Sequence, residues 1–332
     1  MALCCPNCFN DKFLEKHILQ YSTTNGMCDY CNSINTSIIE VIQLQDYFEQ
    51  IIDIYDIDDL GMMLSEILES DWKMFNIDKY AANDLISKAL NDSNLLTYKY
   101  VNKLEKISND VWDNFKQELK HNNRYFPNDS EFNKDGLKDT IEYFEIYDYP
   151  EKVFRGRINE HNELIPKEYM GKPPSEIASQ GRANPIGISY LYVASDIETA
   201  IAEIRPDKGD SVTIAEIALP KNLRFLDIRS PKNTISPFDF SDNVLEGLYR
   251  DIDLLERFGE ELSKPVLPRK AHLEYLPTQY LTELVKNYGF DGVLYKSSVG
   301  NGFNIVIFNE FDLIFNELKM YSITNTTVSY EG

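Results

Sequence analysis

Residues 181–203 read G-R-A-N-P-I-G-I-S-Y-L-Y-V-A-S-D-I-E-T-A-I-A-E. Their side chains suit a nucleotide that carries a glycosidic bond. Arg182 offers a cation for phosphate, Tyr192 a π-face for a ring, and Glu203 a carboxylate for a developing positive charge. Tyr190 competes with Tyr192, because alternation along a strand puts both on one face. Glu203 follows the apolar Ala200, Ile201 and Ala202, where a plain surface glutamate is less expected than a functional one. A solvated pairing with Arg205 is the ordinary alternative. When a glycosidic bond breaks, the sugar C1′ takes on oxocarbenium character. A fixed carboxylate there stabilises the transition state more than the ground state.

Three elements must bring these residues together. Gly181 and Gly187 bracket Pro185, which makes a bent loop. Residues 188–194 alternate and are rich in β-branched and aromatic side chains, as a strand requires. Ser195 precedes Glu198 by three residues, the spacing of a capping box, and predicts a helix that carries Glu203. Further on, residues 211–219 and 223–228 read as strands, 238–262 as a long amphipathic helix, and 277–288 as a helix opened by Pro277. Residues 311–328 read as strands. The second half of the chain is therefore a mixed α/β domain, and the whole chain is of the α+β class.

This stretch resembles the RES domain family, named for its Arg, Glu and Ser. Upstream, Val153-Phe-Arg-Gly-Arg157 is similar to the family's opening strand and first arginine. Downstream, Tyr275-Leu-Pro-Thr-Gln279 is similar to its Pro-Thr-Gln helix start, and Phe290-Asp-Gly-Val-Leu-Tyr-Lys-Ser297 to its strand ending in serine. Gly302-Phe-Asn-Ile-Val-Ile-Phe308 looks like the closing strand. The resemblance implies an ADP-ribosyltransferase-like fold over residues 151–332 and breakdown of NAD by hydrolysis or phosphorolysis, often by the toxin of a toxin–antitoxin pair. It implies catalytic roles for Arg155, Tyr192, Glu203 and Ser297, and NAD binding by Arg155, Gly156, Arg182 and Tyr192. The same alignment selects Tyr192 over Tyr190. Ser297 is read as an orienting hydrogen-bond donor. A nucleophilic serine would need a nearby base, and His161 and His272 lie in no motif of that kind. Transfer of ADP-ribose to a macromolecule, or a non-catalytic nucleotide-binding sensor, are the alternative functions.

All five cysteines fall within the first 31 residues. Cys5 with Cys8, and Cys28 with Cys31, form two C-x₂-C pairs at a spacing expected of a structural zinc site with four thiolate ligands. Cys4 is an alternative to Cys5. Four protein ligands leave no open position, so the expected zinc is structural. Residues 1–36 are read as this zinc-knuckle segment. Residues 37–125 carry apolar stripes of mostly helical spacing, beginning at Ile38, Ile39, Ile42 and Leu44. They resemble the HEPN-type helical domain sometimes fused ahead of RES domains. HEPN ribonucleases carry an R-x₄-H motif. Here Arg124 has no histidine five residues on, and His121 precedes it instead. Residues 126–150, rich in Asp and Asn, read as a linker.

The 332 residues have a formal net charge of −21, which disfavours broad binding to nucleic acid or anionic membranes. Arg124 is the only arginine before residue 150, so the phosphate-binding equipment belongs to the second half. The short apolar runs predict no transmembrane span, and the N-terminus lacks the pattern of a secretory signal. A cytoplasmic location is expected. An enzyme that destroys NAD there would need restraint, which predicts an inhibitory partner of antitoxin or immunity type, or a homo-oligomer. The acidic first half is the expected docking surface.

Overall fold

The computed structural model describes residues 2–128, 134–309 and 313–326. The chain forms two units, Met1–Trp112 with Ser230–Leu254, and Asp113–Arg229 with Leu255–Gly332. Helices α5 (Glu105–Gln117) and α8 (Asp242–Ser263) straddle the division.

The first unit opens with β1 (Leu3–Cys4), α1 (Lys12–Tyr21), β2 (Thr24–Gly26) and β3 (Thr36–Glu40). It continues with α2 (Gln45–Ile52), β4 (Tyr55–Met62), α3 (Leu64–Trp72), α4 (Lys79–Ala89) and β5 (Tyr100–Asn102). Asp11 caps α1 by accepting the Leu14 amide at 2.9 Å, and Asp78 caps α4 through the amides of Tyr80 and Ala81. Three strands form a small sheet in the order β1-β3-β2, and β4 pairs with β5. The helical reading of 37–125 therefore fails in part. Ile38 and Ile39 are buried in the central strand β3, and the helical α2 begins only at Gln45. A short apolar run fits a buried strand as well as a helix. The β-branched Thr36, Ile38 and Ile39 tip it toward the strand.

In the second unit, α6 (Lys134–Glu142) lies in the stretch read as a linker and buries Leu137, Thr140 and Ile141. Then come β6 (Glu145–Ile146), β7 (Lys152–Ile158), β8 (Leu191–Ala194), α7 (Ile197–Ile204), β9 (Ser211–Ala218) and β10 (Phe225–Asp227). After the long loop and α8 follow α9 (Ala271–Glu274), α10 (Leu276–Asn287), β11 (Gly292–Lys296), β12 (Phe303–Ile307) and β13 (Ile314–Ser322). Eight of these strands form one sheet in the order β13-β9-β7-β8-β12-β11-β10-β6. All neighbours are antiparallel except β10 and β11. Of the segment 311–328 read as strands, 314–322 is strand, and 311, 312, 327 and 328 lie outside the described residues.

Alternation splits the core between the two faces of this sheet. Val153, Leu191, Val193, Ala215, Ile217 and Ile305 belong to one apolar cluster. Ala194, Val212 and Ile214 form the other, closed by Ala200 with Ile197, Ile201 and Ile204 of α7. Helix α7 begins one residue later than the capping-box reading. Its N-cap is Asp196, whose carboxylate accepts the Thr199 amide at 2.7 Å, while Ser195 Oγ donates to Asp196 Oδ2 at 2.7 Å. Burial works to raise the Asp196 carboxyl, but the donors Ser195 and Thr199 outweigh it and hold it below its ordinary range. Ser195 instead ties the cap to β12 by accepting the Phe303 amide at 3.0 Å.

Gly156 of β7 sets how closely α7 approaches the sheet. A Cβ there would stand 2.9 Å from the Ala200 carbonyl oxygen and 3.1 Å from Ile204 Cδ1 and Ile214 Cδ1. Because the nearest atom is backbone, the whole helix would have to move. Gly156→Ala should lower stability by about 1–3 kcal/mol, as overpacked cores do. Urea unfolding measures this, and an unchanged midpoint would show that the helix has room to spare.

Candidate active site and thiol cluster

Only Phe154 and Ala194 pair across β7 and β8. Beyond that pair the ladder stops, and Arg155 Nη1 donates to the Tyr192 carbonyl at 3.4 Å. A pocket of about 460 Å³ lies here, a volume in the range of small-molecule sites. Its wall includes Arg155, Gly156, Arg182, Tyr192 and Glu203 of the residues expected from sequence. Arg205, Tyr275, Tyr295 and Asn304 join them.

Glu203, in the last turn of α7, is half-buried. Its Oε1 accepts Ser297 Oγ at 2.7 Å and Asn304 Nδ2 at 2.6 Å. Ser297 follows β11 and does not line the pocket. Its Oγ accepts the amides of Gly300 at 2.9 Å and Val299 at 3.2 Å. The serine thus touches the carboxylate from behind. No bond joins Ser297 to His161 or His272 among the contacts of the described residues.

The two tyrosines that sequence left in competition separate in space. Tyr190 is 2 % exposed, packs on Phe308 at a ring-centroid distance of 5.0 Å, and hydrogen-bonds Glu283. It is a core residue. Tyr192 lines the pocket, and its hydroxyl donates to Asn184 Oδ1 at 2.7 Å while accepting the Ala183 amide at 3.1 Å. Burial pushes the Tyr192 phenol above its ordinary range, and burial does the same to Tyr295.

Arg182 reaches the pocket wall but is also tethered. Its Nη1 donates to the carbonyls of Leu262 and Ser263 at 2.8 and 2.9 Å, at the C-terminus of α8. A cation there meets the negative end of the helix dipole. Gly181 leaves room for Tyr192, since a Cβ would sit 2.6 Å from its hydroxyl oxygen. The Pro-Thr-Gln start of α10 holds the same loop: Gln279 Nε2 donates to the carbonyls of Gly181 at 2.9 Å and Asn184 at 3.0 Å.

Sequence reasoning missed Asn304, Tyr275, Tyr295 and Arg205 as pocket residues. Tyr275 and Tyr295 stand inside segments whose resemblance was evident, so their position carried a signal. Asn304 gave a weaker one, an amide in an otherwise apolar strand run.

The cysteines of the first unit form a separate cluster. The sulfurs of Cys5, Cys8, Cys28 and Cys31 all lie within 4.8 Å of one another. Cys5 and Cys31 are 3.3 Å apart, as are Cys8 and Cys28. Cys4 is outside the group, buried in β1 opposite Ile39. All five are free thiols. Sulfurs around a tetrahedral zinc at about 2.3 Å would be roughly 3.8 Å apart, so the set fits one ion. Burial and the Cys31 hydrogen bond push the Cys5 thiol up to about 12. Burial also works to raise Cys31, but its bonds with Ser33 bring it down to about 7.

Gln279→Leu should cost about 1–3 kcal/mol, because it removes the side-chain donor from the Gly181 carbonyl and leaves that of Asn184 with the Gly181 amide alone. Thermal or urea unfolding reads the loss, and equal stability would mean that water replaces the amide without cost.

No helix among the described residues is long and apolar enough to cross a membrane. No curated protein matches the chain. A chain of the crystal structure of the M. tuberculosis MbcT-MbcA toxin-antitoxin complex aligns at 14 % identity with a TM-score of 0.34. That alignment covers 56 % of this chain and 92 % of the other. Residues 156–319, just under half of the chain, match the RES domain.

Proposed function

We propose that the pocket of the second unit takes NAD and cleaves its nicotinamide–ribose bond, and that the protein acts as a toxin or defence effector. The observation that carries this reading is the Glu203 carboxylate, fixed by two donors in a wall it shares with Arg155, Arg182 and Tyr192. The RES match over residues 156–319 supports the same substrate. Arg155, with Arg182 and Arg205, faces the pyrophosphate, and guanidinium suits that charge and shape. Tyr192 stacks on the nicotinamide side.

In the reaction the C1′–N bond breaks and its electron pair goes to the nicotinamide nitrogen, which discharges the pyridinium. C1′ is left with oxocarbenium character opposite Glu203. An oxygen of water or phosphate then bonds to C1′. Water yields ADP-ribose with release of one proton, and phosphate yields the ADP-ribose phosphate ester. The carboxylate needs no proton of its own for this role. It stabilises charge that appears only as the bond breaks.

Glu203→Ala should abolish turnover, by on the order of 100-fold or more, in a protein that still folds. The measurement is nicotinamide release from NAD with and without phosphate, which also identifies the acceptor. Normal turnover in the folded variant sinks the role of Glu203. No turnover by the wild type, with NAD nonetheless bound, would favour a nucleotide sensor.

In the first unit, Cys5, Cys8, Cys28 and Cys31 hold one structural zinc. Such an ion supplies folding free energy, because the four ligands come together only when the segment folds. Purified protein should contain about one zinc per chain, and Cys5→Ser and Cys28→Ser should each lose it. Full zinc in both variants would show that other ligands bind it. An enzyme of this kind requires an inhibitory partner in its own cell, and the acidic charge of residues 1–150 would draw a basic one.

A further inference from the structure

Asn304 sits in β12, between β8 and β11, with Ala194 opposite it on one side and Tyr295 on the other. It is 5 % exposed. A side chain rooted in a strand paired on both sides has little freedom, and its amide is aimed at α7. Its Nδ2 meets the same carboxylate oxygen that Ser297 Oγ meets, Oε1 of Glu203. Two charge-assisted bonds to one oxygen fix the plane of the carboxylate and polarise it. Neither bond engages Oε2.

We infer that Asn304 is a positioning residue that, together with Ser297, pins Oε1 of Glu203 and presents Oε2 to the ribose as the working oxygen. This rests on the reading of the pocket as an NAD-cleaving site. Ser297 approaches from the loop after β11, and Asn304 from the strand itself, so the two anchors are independent. Ser297 is held by the backbone amides of Val299 and Gly300, and Asn304 by the sheet. The amide is the essential feature, because an oxygen in its place would face an oxygen. The other titratable groups facing the same space are Arg155 of β7, Arg182 of the loop, Arg205 after α7, Tyr192 of β8, Tyr275 and Tyr295.

The test compares Asn304→Ala and Asn304→Asp with the wild type, following nicotinamide release against NAD concentration and pH. In Asn304→Ala, kcat should fall roughly 10- to 100-fold, as small misplacements of a catalytic group do, while KM changes little. Asn304→Asp has nearly the same shape but sets a second carboxylate against Oε1. At neutral and higher pH the two charges repel and activity is low. As pH falls, the introduced carboxyl takes up a proton at a raised pKa and donates it to Oε1. Its kcat should therefore recover toward acid, where that of the wild type does not. Circular dichroism and melting establish that the variants fold. If the aspartate variant does not, the alanine variant decides. Unchanged kcat in folded Asn304→Ala overturns the inference while leaving the NAD reading intact. A wild type that turns over no NAD overturns both.

Discussion

The second unit depends on a sheet that stops pairing in its middle. Strands β7 and β8 share one residue pair, and past it the backbone groups that a continuous ladder would consume are turned to other uses. Buried backbone groups rarely go without partners. Here Arg155 of β7 donates to the Tyr192 carbonyl of β8, so the residue suited to phosphate also satisfies the edge that faces it. The cleft is thus a built feature of the sheet. Neighbouring strands keep it from closing: β7 is paired along its length to β9, and β8 to β12. Each rim has its own support, and the gap between them is held by two rigid halves.

Onto those rims the sequence places its chemistry by local devices. Gly156 allows α7 to lie close over β7, and the Asp196 cap starts the helix so that Glu203 falls in its last turn, beside Asn304 of β12 and Ser297 of the loop after β11. Asn184 satisfies the loop from within. Its Nδ2 donates to the carbonyls of Ser179 at 3.0 Å and Ile188 at 2.8 Å, while its Oδ1 takes the Tyr192 hydroxyl. A loop so crosslinked can place an arginine with the accuracy of a strand. In the first unit Leu14 and Ile18 of α1 are buried along with Ile38 and Ile39 of the central strand β3.

Much of this was legible before any coordinates, and the failures have physical causes. Glu203 stood out because a carboxylate after an apolar triplet is chemically odd, and Ser297 because its strand resembled a known pattern. The roles of their neighbours were hidden. Asn304 looks like any residue of a strand, since its value comes from facing a helix far away in sequence. Arg182 read only as a cation for phosphate, because nothing in a one-dimensional string shows that α8 ends beside it. Ser195 and Asp196 are adjacent capping residues, and spacing alone favoured the wrong one. Ile38 and Ile39 fit two periodicities, and tertiary pairing chose the strand.

The bonds of Ser297 have a chemical consequence. Its oxygen accepts two backbone amides and its proton is committed to Glu203, so both lone pairs and the hydrogen are spent. A nucleophile needs an electron pair free to attack and a base to take its proton, and this hydroxyl has neither to spare. Reagents that trap activated serines would pass it by. The hydroxyl of Ser297 is therefore inert by its surroundings. What it offers instead is a fixed point, a hydroxyl held by three hydrogen bonds against the Glu203 carboxylate.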